Sequence, residues 1–326
     1  MKSKLLVLVT ASAALNVRAV VDASLRDAYL KGADAKIVYR VVDDEGVPVE
    51  GATAHIWFRT THPKLIIDDW TVNTDSNGMF IAEHRTNDRL SCGIDKPGYY
   101  HTFDRVTFSD PRMYPLATGG KWRPYDSIRT VILKKIRDPC KLHVFPVSIR
   151  GYRIPEFGKW IGFDFECCEW IAPHGKGRHA DVLLRFSAMK RNLHDYRYVL
   201  DVSFTNNPHA GAYLMKKDKS SKLDTTYIAD TNATYKASFS YVIEQTPGNR
   251  RHWDFLDSDS YLVFRTRTRV DKDNNLVGAH YGKILGRWRS GMEAMVLSDG
   301  CFNPVENDVN IEDGTVLRTV LKNLNR

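Results

Sequence analysis

The fold is decided by the stretch Ala35-Lys36-Ile37-Val38-Tyr39-Arg40-Val41-Val42, followed by Asp43-Asp44-Glu45-Gly46-Val47-Pro48 and then by Ala54-His55-Ile56-Trp57-Phe58. Branched and aromatic side chains that recur with a period of two are typical of β-strands. The segment between the two runs predicts a turn, because glycine adopts unusual backbone angles and proline fixes one of them. The stretch therefore predicts two strands joined by a tight turn.

The same pattern continues outward to residue 136. Thr74-Asp75-Ser76-Asn77-Gly78-Met79-Phe80 places Asn-Gly at the tip of an expected hairpin, since Gly and Asn enter positive φ at little cost. Lys96-Pro97-Gly98-Tyr99-Tyr100 predicts a further turn, and residues 127–136 predict a closing strand. Before the first strand, residues 22–33 predict at most a short helix.

Three of these segments, residues 46–52, 74–80 and 96–100, resemble the carboxypeptidase regulatory-like family. The resemblance covers roughly residues 34–137 and implies a small antiparallel sandwich of transthyretin-like or immunoglobulin-like topology. Members of that family are non-catalytic appendages of many exported proteins. The resemblance therefore implies a fold and no catalytic residue.

The second part of the chain is also strand-patterned, and Pro139 marks the expected boundary between domains 20–138 and 139–326. Apolar and polar residues alternate at 163–168, 183–188 and 200–205, and the runs 261–270 and 276–288 flank an expected hairpin loop at 271–275. Frequent strands without intervening helices predict a second β-sandwich of jelly-roll type. We expect an all-β protein of two domains.

Most of the mature chain also resembles a group of exported bacterial proteins to which no activity is attached. The likeness lies in Gly162–Glu166, Trp170–Gly177, Tyr281–Ile284 and Asn303–Asn310. It implies the domain organisation and adds no chemistry.

The first residues predict export. Met1-Lys2-Ser3-Lys4 is followed by the apolar run Leu5-Leu6-Val7-Leu8-Val9 and by small residues up to Ala19, a pattern typical of a signal peptide. The run is shorter than the roughly 20 residues that span a bilayer, so we expect removal of residues 1–19 and no membrane insertion afterwards. The mature chain is then expected to be periplasmic, displayed at the cell surface or secreted.

Composition narrows the class of protein. Among 326 residues, 43% are hydrophobic and 11% aromatic, which excludes a multi-span membrane protein and a disordered chain. The formal net charge is +8, and removal of the signal peptide takes away three basic residues to leave +5. A charge this small over a chain this long argues against a nucleic-acid partner.

The number and spacing of the cysteines are compatible with export but do not define a disulfide framework. The five cysteines contain no Cys-x-x-Cys pair, which argues against zinc-ribbon and thioredoxin-like sites: Cys92, Cys140, Cys167, Cys168 and Cys301. Because the number of cysteines is odd, at least one thiol is left without a disulfide partner, and the disulfide pairing of the others stays open.

One cluster has the residue types of an acid-base site. Asp164 and Glu166 are expected on one strand face, and a Gly-rich loop with His174 follows. Two carboxylates and a histidine can serve as acid, base or ligand. The favoured alternative is a solvated strand face followed by a surface loop. Gly-x-Ser-x-Gly, His-Glu-x-x-His and Gly-x-Gly-x-x-Gly are all missing from the sequence, so an enzyme is not the leading hypothesis.

A second cluster suggests anion binding. A strand would place Arg265, Arg267 and Arg269 on one face, and Arg287 and Trp288 would lie across the expected hairpin. Such a face suits a sulfated or sialylated glycan, a cell-wall polymer or an acidic protein. The alternative interpretation is an exposed sheet face whose arginines pair with acids and protect the edge from aggregation.

The leading hypothesis is an exported, non-enzymatic binding protein that recognises a surface glycan or a partner protein, without cofactor or metal. The first alternative is an exported hydrolase of glycan or peptide that uses Asp164, Glu166 and His174. The second alternative is a structural subunit of a cell-surface assembly.

Overall fold

A computed structural model describes residues 25–108, 116–145, 154–204, 207–254, 259–285, 289–291, 294–296 and 300–312. Within these ranges the chain forms strands and a single short helix, residues 25–31. The expected all-β class is confirmed. The described chain divides into two compact units, with the division between Ile136 and Arg137, and Ser220–Lys222 belongs to the first unit. Residues 1–19 lie outside the described residues.

Unit 1 is a sandwich of two sheets. Its strands are β1 Ala33–Asp43, β2 Thr53–Thr60, β3 Ile66–Asn73, β4 Met79–Thr86, β5 Arg89–Asp95, β6 Thr102–Thr107, β7 Leu116–Thr118, β8 Lys121–Arg123 and β9 Ser127–Leu133. One sheet has the order β4-β1-β8-β7, with β9 paired in parallel to β1, and the other has the order β3-β2-β5-β6. Tyr39 from the first sheet and Ile56 and Phe58 from the second are fully buried in one shared core.

The alternation predicted from the sequence decides which side of β2 is buried. Ala54, Ile56 and Phe58 have no exposed surface, whereas His55 and Trp57 between them face away from the core and are half-buried. A strand of period two therefore carries an apolar inner face and a polar-aromatic outer face.

The turn at Asn77-Gly78 differs from the expectation. Gly78 has φ +72° and forms the turn as predicted, but β3 and β4 on either side belong to different sheets. The turn is therefore a crossing between the two sheets rather than the tip of a hairpin. Asp75 holds it, because its carboxylate accepts the backbone N–H groups of Asn77 and Met79 at 2.9 and 2.8 Å.

Unit 2 is also a sandwich of two sheets, with an extra two-stranded ribbon. Its strands are β10 His143–Phe145, β11 Ile161–Asp164, β12 Glu169–Trp170, β13 Val182–Asn192, β14 Asp195–Ser203, β15 Gly211–Lys216, β16 Ser238–Gln245, β17 His252–Asp254, β18 Ser260–Val270, β19 Leu276–Ile284, β20 Arg289–Gly291, β21 Ala294–Val296 and β22 Gly300–Phe302. The sheet orders are β12-β11-β13-β14-β16-β17 and β10-β22-β19-β18-β15, and β20 pairs with β21. Phe163 and Phe186 from the first sheet meet Leu262 and Phe264 from the second in a common core.

Two expected features of unit 2 have different outcomes. The hairpin loop at residues 271–275 is confirmed, because it joins the antiparallel strands β18 and β19. The expected strand through residues 163–168 is not formed, because β11 ends at Asp164 and the chain turns back to pair as β12. Cys168 has φ +55°, so the segment is a tight turn rather than a strand face that carries Asp164, Glu166 and Cys168 together.

Across the described part of the chain, no helix is long enough and apolar enough to cross a membrane.

Candidate functional site

The structure does not place Arg265, Arg267 and Arg269 in one exposed row. The pairing of β18 with β19 is irregular between Thr266 and Arg269, and Arg267 has φ +48°, so a bulge breaks the period of two. Arg265 is buried, donates Nε–H to the carbonyl of His209 at 2.9 Å and lies 4.0 Å from the Tyr235 ring. Arg287 and Trp288, expected beside this row, lie outside the described residues.

Arg267 and Arg269 are each paired with acids. Arg269 is exposed and lies 2.6 Å from Glu306. Arg267 donates to both carboxylate oxygens of Asp181, at 2.8 and 2.9 Å, to Asp164 at 2.9 Å, and to Glu166. We call Arg267, Asp164, Asp181 and Glu166 the Arg267 cluster. Because β18 and β11 belong to opposite sheets, this cluster joins the two layers of unit 2.

Asp164 is fully buried and is held by backbone donors as well as by Arg267. Its carboxylate accepts the N–H groups of Arg178 and His179 at 2.8 and 3.0 Å, and those of Glu166 and Cys167 at 3.0 and 3.1 Å. Burial alone would raise the pKa of Asp164, but these donors and the charge of Arg267 lower it below its ordinary value. Asp164 is thus ionised at neutral pH, and its carboxylate holds the turn at residues 164–167 and the loop at residues 178–179.

The other two acids of the cluster behave differently from one another. Burial raises the pKa of Asp181, and the hydrogen bonds and charge of Arg267 oppose this rise only in part. The hydrogen bond from Arg267 lowers the pKa of Glu166. All three carboxylates are engaged by one guanidinium, which is the pattern of a structural ion network.

Two of the three residues of the hydrolase hypothesis, Asp164 and Glu166, are brought together on Arg267, whereas His174 lies beside Glu156. His174 lies 3.9 Å from Glu156, measured from Nε2 to Oε2, whereas Asp164 and Glu166 belong to the Arg267 cluster. A cleft of about 380 Å³ borders that cluster, but Asp181, Arg267 and Arg269 in its lining are already paired within the protein. Among the described residues, no three His, Cys, Asp or Glu side chains are arranged to hold a metal ion.

A more open site lies on the outer face of the β3-β2-β5-β6 sheet of unit 1. It is a cleft of about 460 Å³, which we call the Trp57 cleft, lined by Trp57, Arg59, Leu65, Ile67, Arg89, Ser91, Phe103 and Arg105. The strand register explains this grouping. Trp57 lies opposite Ser91, Ser91 lies opposite Arg105, and Arg59 lies opposite Arg89, so side chains from three neighbouring strands converge on one face.

An aromatic platform occupies the middle of this face. Gly93 in β5 is its floor, because a Cβ atom there would lie 3.0 Å from Cε1 of His101 and 3.2 Å from Cη2 of Trp57. The absence of a side chain at Gly93 therefore allows both rings to lie over the strand. His55 lies next to Trp57 on the same strand, with ring centroids 6.2 Å apart and nearly parallel ring planes.

One end of the platform is polar. The carboxylate of Asp95 lies 2.8 Å from Nδ1 of His101 and 3.9 Å from Nε2 of His55. The hydrogen bond with His101 lowers the pKa of Asp95, so this carboxylate remains ionised and accepts hydrogen bonds. The three side chains form a fixed polar rim next to the indole.

The other end carries arginines. Arg59 and Arg89 lie 3.5 and 3.3 Å from the same carboxylate oxygen of Asp88. Nε of Arg59 is buried and has no hydrogen-bond partner within the described ranges. The guanidinium of Arg105 lies 5.2 Å from the centre of the Phe103 ring and makes no ion pair with a described residue.

Sequence reasoning missed this face, although part of it can be read from the sequence. His55, Trp57 and Arg59 occupy alternate positions of a predicted strand whose other positions are apolar, so they had to lie outside the core. Nothing in the sequence shows that the strand with Gly93 and the strand with Phe103 and Arg105 lie beside them.

Comparisons with known proteins add little to this description. No protein-family model matches the chain, and no curated protein matches it. Among solved structures, 3-chlorocatechol 1,2-dioxygenase from Rhodococcus opacus is 16% identical with a TM-score of 0.25, and the match covers 32% of this chain and 61% of that one. Catechol 1,2-dioxygenase from Acinetobacter radioresistens is 15% identical with a TM-score of 0.27, over 33% of this chain and 54% of that one.

A further solved structure that matches is a protein from Bacteroides uniformis. Its assignment as a carbohydrate binding protein is itself an inference. It is 9% identical with a TM-score of 0.19, over 85% of this chain and 100% of that one. TM-scores this low do not establish a shared fold. Neither the chemistry of the dioxygenases nor the ligand of the Bacteroides protein is carried over to this chain.

Proposed function

We propose that the chain is an exported, non-enzymatic protein that binds a glycan, and that the Trp57 cleft is its binding face. The observation that carries the proposal is the indole of Trp57, which lies beside His101 over the bare backbone of Gly93 in an open cleft. A sugar ring has one face of C–H groups and a rim of hydroxyls. An aromatic ring with a polar rim is complementary to both.

The polar rim fits the hydroxyl groups of a sugar. The carboxylate of Asp95 accepts hydrogen bonds, and the imidazole of His101 holds it in place, with His55 3.9 Å away. Ser91 lies opposite Trp57 on the next strand and adds a hydroxyl to the floor. Because these groups lie on paired strands, the face is largely formed before a ligand binds, which limits the entropy lost on binding.

The non-enzymatic part of the proposal is supported by the state of the candidate catalytic acids. Asp164 and Glu166 are both bound to Arg267, and Nε2 of His174 lies 3.9 Å from Oε2 of Glu156. The export part is supported by the sequence of residues 1–19 and by the resemblance of residues 34–137 to appendage domains.

Affinity electrophoresis tests the proposal. The chain from residue 20 is run through native gels that contain a panel of soluble neutral and acidic polysaccharides, and at least one is expected to retard it. Trp57→Ala is expected to remove the retardation, because the stacking surface is lost. Trp160→Ala is the matched control, since Trp160 is an exposed tryptophan of unit 2.

Circular dichroism of both variants checks that they are folded. Retardation that is unchanged in a folded Trp57→Ala variant, or a panel that retards nothing, contradicts the proposal.

A further inference from the structure

We infer that the glycan bound at the Trp57 cleft is acidic, and that Arg105 binds its oxyanion group. This inference rests on the proposed function and adds the chemical class of the ligand. Its basis is the distribution of charge along the cleft.

Three arginines line the cleft, and no carboxylate does. The nearest acid that reaches them is Asp88, which is shared by Arg59 and Arg89. Even when Asp69, which lies opposite Trp57, is counted with Asp88, three guanidinium groups face two carboxylates and positive charge is in excess. A carboxylate or sulfate of a bound ligand would be attracted to the arginines, because its negative charge balances theirs.

Arg105 is the arginine best placed to bind that group. It is exposed, has no ion pair among the described residues, and lies against the ring of Phe103, which limits its rotation. The planar guanidinium presents paired N–H donors that match two oxygens of an oxyanion. Arg59 and Arg89, held by Asp88, are expected to contribute mainly through their charge.

The spacing allows one ligand to use both features. Trp57 and Arg105 lie on strands β2 and β6, with Ser91 of β5 between them in register. Two strand spacings amount to about 10 Å between their backbones. A sugar stacked on Trp57 can therefore place the acidic group of a neighbouring residue against Arg105.

The acids of the same face fix the direction of the ligand. Asp69 lies opposite Trp57 on β3, and Asp95 lies at the histidine end. Both carboxylates repel an anion, so the acidic group is directed to the arginine end.

A matched pair of polysaccharides tests the inference. Polygalacturonate carries a carboxylate on every sugar, and its methyl ester has the same backbone without the charge. Chondroitin sulfate and unsulfated chondroitin form the second pair, and it distinguishes a sulfate from a carboxylate as the source of the oxyanion. Dissociation constants are measured by isothermal titration calorimetry with the chain from residue 20.

We expect an acidic member to bind at least about tenfold more tightly than its less charged counterpart, and Arg105→Ala to remove about tenfold or more of that affinity. Arg105→Lys should restore part of it. Arg85→Ala is the control, because Arg85 is an exposed arginine on the other sheet of unit 1 and its loss lowers the net charge equally.

Equal affinity for charged and less charged members of both pairs overturns the inference. An equal loss of affinity in Arg85→Ala and Arg105→Ala overturns it as well, because net charge alone would then explain binding. In either case, sensitivity to Trp57→Ala leaves the proposed function standing. If none of the four polymers binds, the inference is overturned, and the proposed function is judged separately by the wider electrophoresis panel.

Discussion

Arg267 and Asp181 are joined by two hydrogen bonds, Nε to Oδ1 at 2.8 Å and Nη2 to Oδ2 at 2.9 Å, between opposite sheets of unit 2. Asp181 comes directly before β13, and Arg267 lies at the bulge of β18. The side chain of Asp181 is fully buried, and that of Arg267 is 15% exposed. A guanidinium that the sequence pattern suggested for ligand binding is therefore used to hold the sandwich together.

Removal of Arg267 should destabilise unit 2 strongly. Arg267→Ala leaves Asp164 and Asp181 buried without their counter-charge, and we expect the free energy of unfolding to fall by about 3–5 kcal/mol. Arg269→Ala, which breaks only the exposed pair with Glu306, should cost at most about 1 kcal/mol. Urea unfolding at pH 7 measures both. Equal costs for the two variants would show that the Arg267 cluster has no special role.

Glycine should be a better replacement than alanine at position 267. Arg267 has φ +48°, a left-handed conformation that costs a side-chain-bearing residue roughly 1 kcal/mol. Arg267→Gly and Arg267→Ala lose the same ion pairs, but only glycine avoids this cost. The glycine variant should therefore be more stable by about 1 kcal/mol in the same urea experiment. An alanine variant that is the more stable of the two refutes the bulge geometry.

The stability of unit 2 should decrease in acid. The pKa of Asp164 is lowered in the folded chain, so its contribution is present above its unfolded pKa of about 3.9 and is lost as pH falls through the folded value. Glu166, whose pKa is also lowered, acts in the same direction. Asp181, whose pKa is raised, takes up its proton earlier in the folded chain and offsets part of the loss.

The measurement is the free energy of unfolding between pH 6 and pH 2. The wild type should lose stability more steeply than Asp164→Asn, which is less stable throughout but lacks this titrating group. Parallel curves for the two proteins would exclude Asp164 as a source of the acid sensitivity.

Filling the space over Gly93, beside the Trp57 cleft, should abolish glycan binding. A Cβ at Gly93 would lie 3.0 Å from His101 and 3.2 Å from Trp57, and the larger Gly93→Val must displace both rings. We expect retardation in affinity gels to be lost. Gly98→Ala is the control for loss of stability, because Gly98 has φ +84° and alanine is strained there, but its added Cβ has nothing within 4 Å. Full retardation of a folded Gly93→Val variant would place the binding face elsewhere.

Sequence patterns predict the structure correctly where neighbouring residues alone determine the backbone conformation. The alternation of Ala54, Ile56 and Phe58 with polar residues correctly predicts the buried side of β2, and the composition of residues 271–275 predicts their loop. The predicted strand through residues 163–168 was wrong beyond Asp164. Phe163 and Phe165 alternate with polar residues as they would in a strand, but residues 165–168 form a turn. There the carboxylate of Asp164 captures backbone N–H groups and bends the chain.

The two sites depend on partners that are distant in sequence. Arg267 turns out of its expected face toward Asp181, which is 86 residues earlier in the chain. The Trp57 cleft requires the pairing of β2 with β5 and of β5 with β6. Periodicity gives the direction of a side chain on its own strand, but it contains no information about which strands become neighbours.

Fluorine NMR of the chain labelled with 5-fluorotryptophan shows whether a glycan contacts Trp57. The chain has seven tryptophans, and single Trp→Phe variants assign their resonances. The ligand is an oligosaccharide of whichever polysaccharide retards the wild type most. We predict that the Trp57 resonance shifts on titration, while that of Trp160, the exposed tryptophan of unit 2, does not. A shift of Trp160 or Trp288 with Trp57 unchanged would contradict the account.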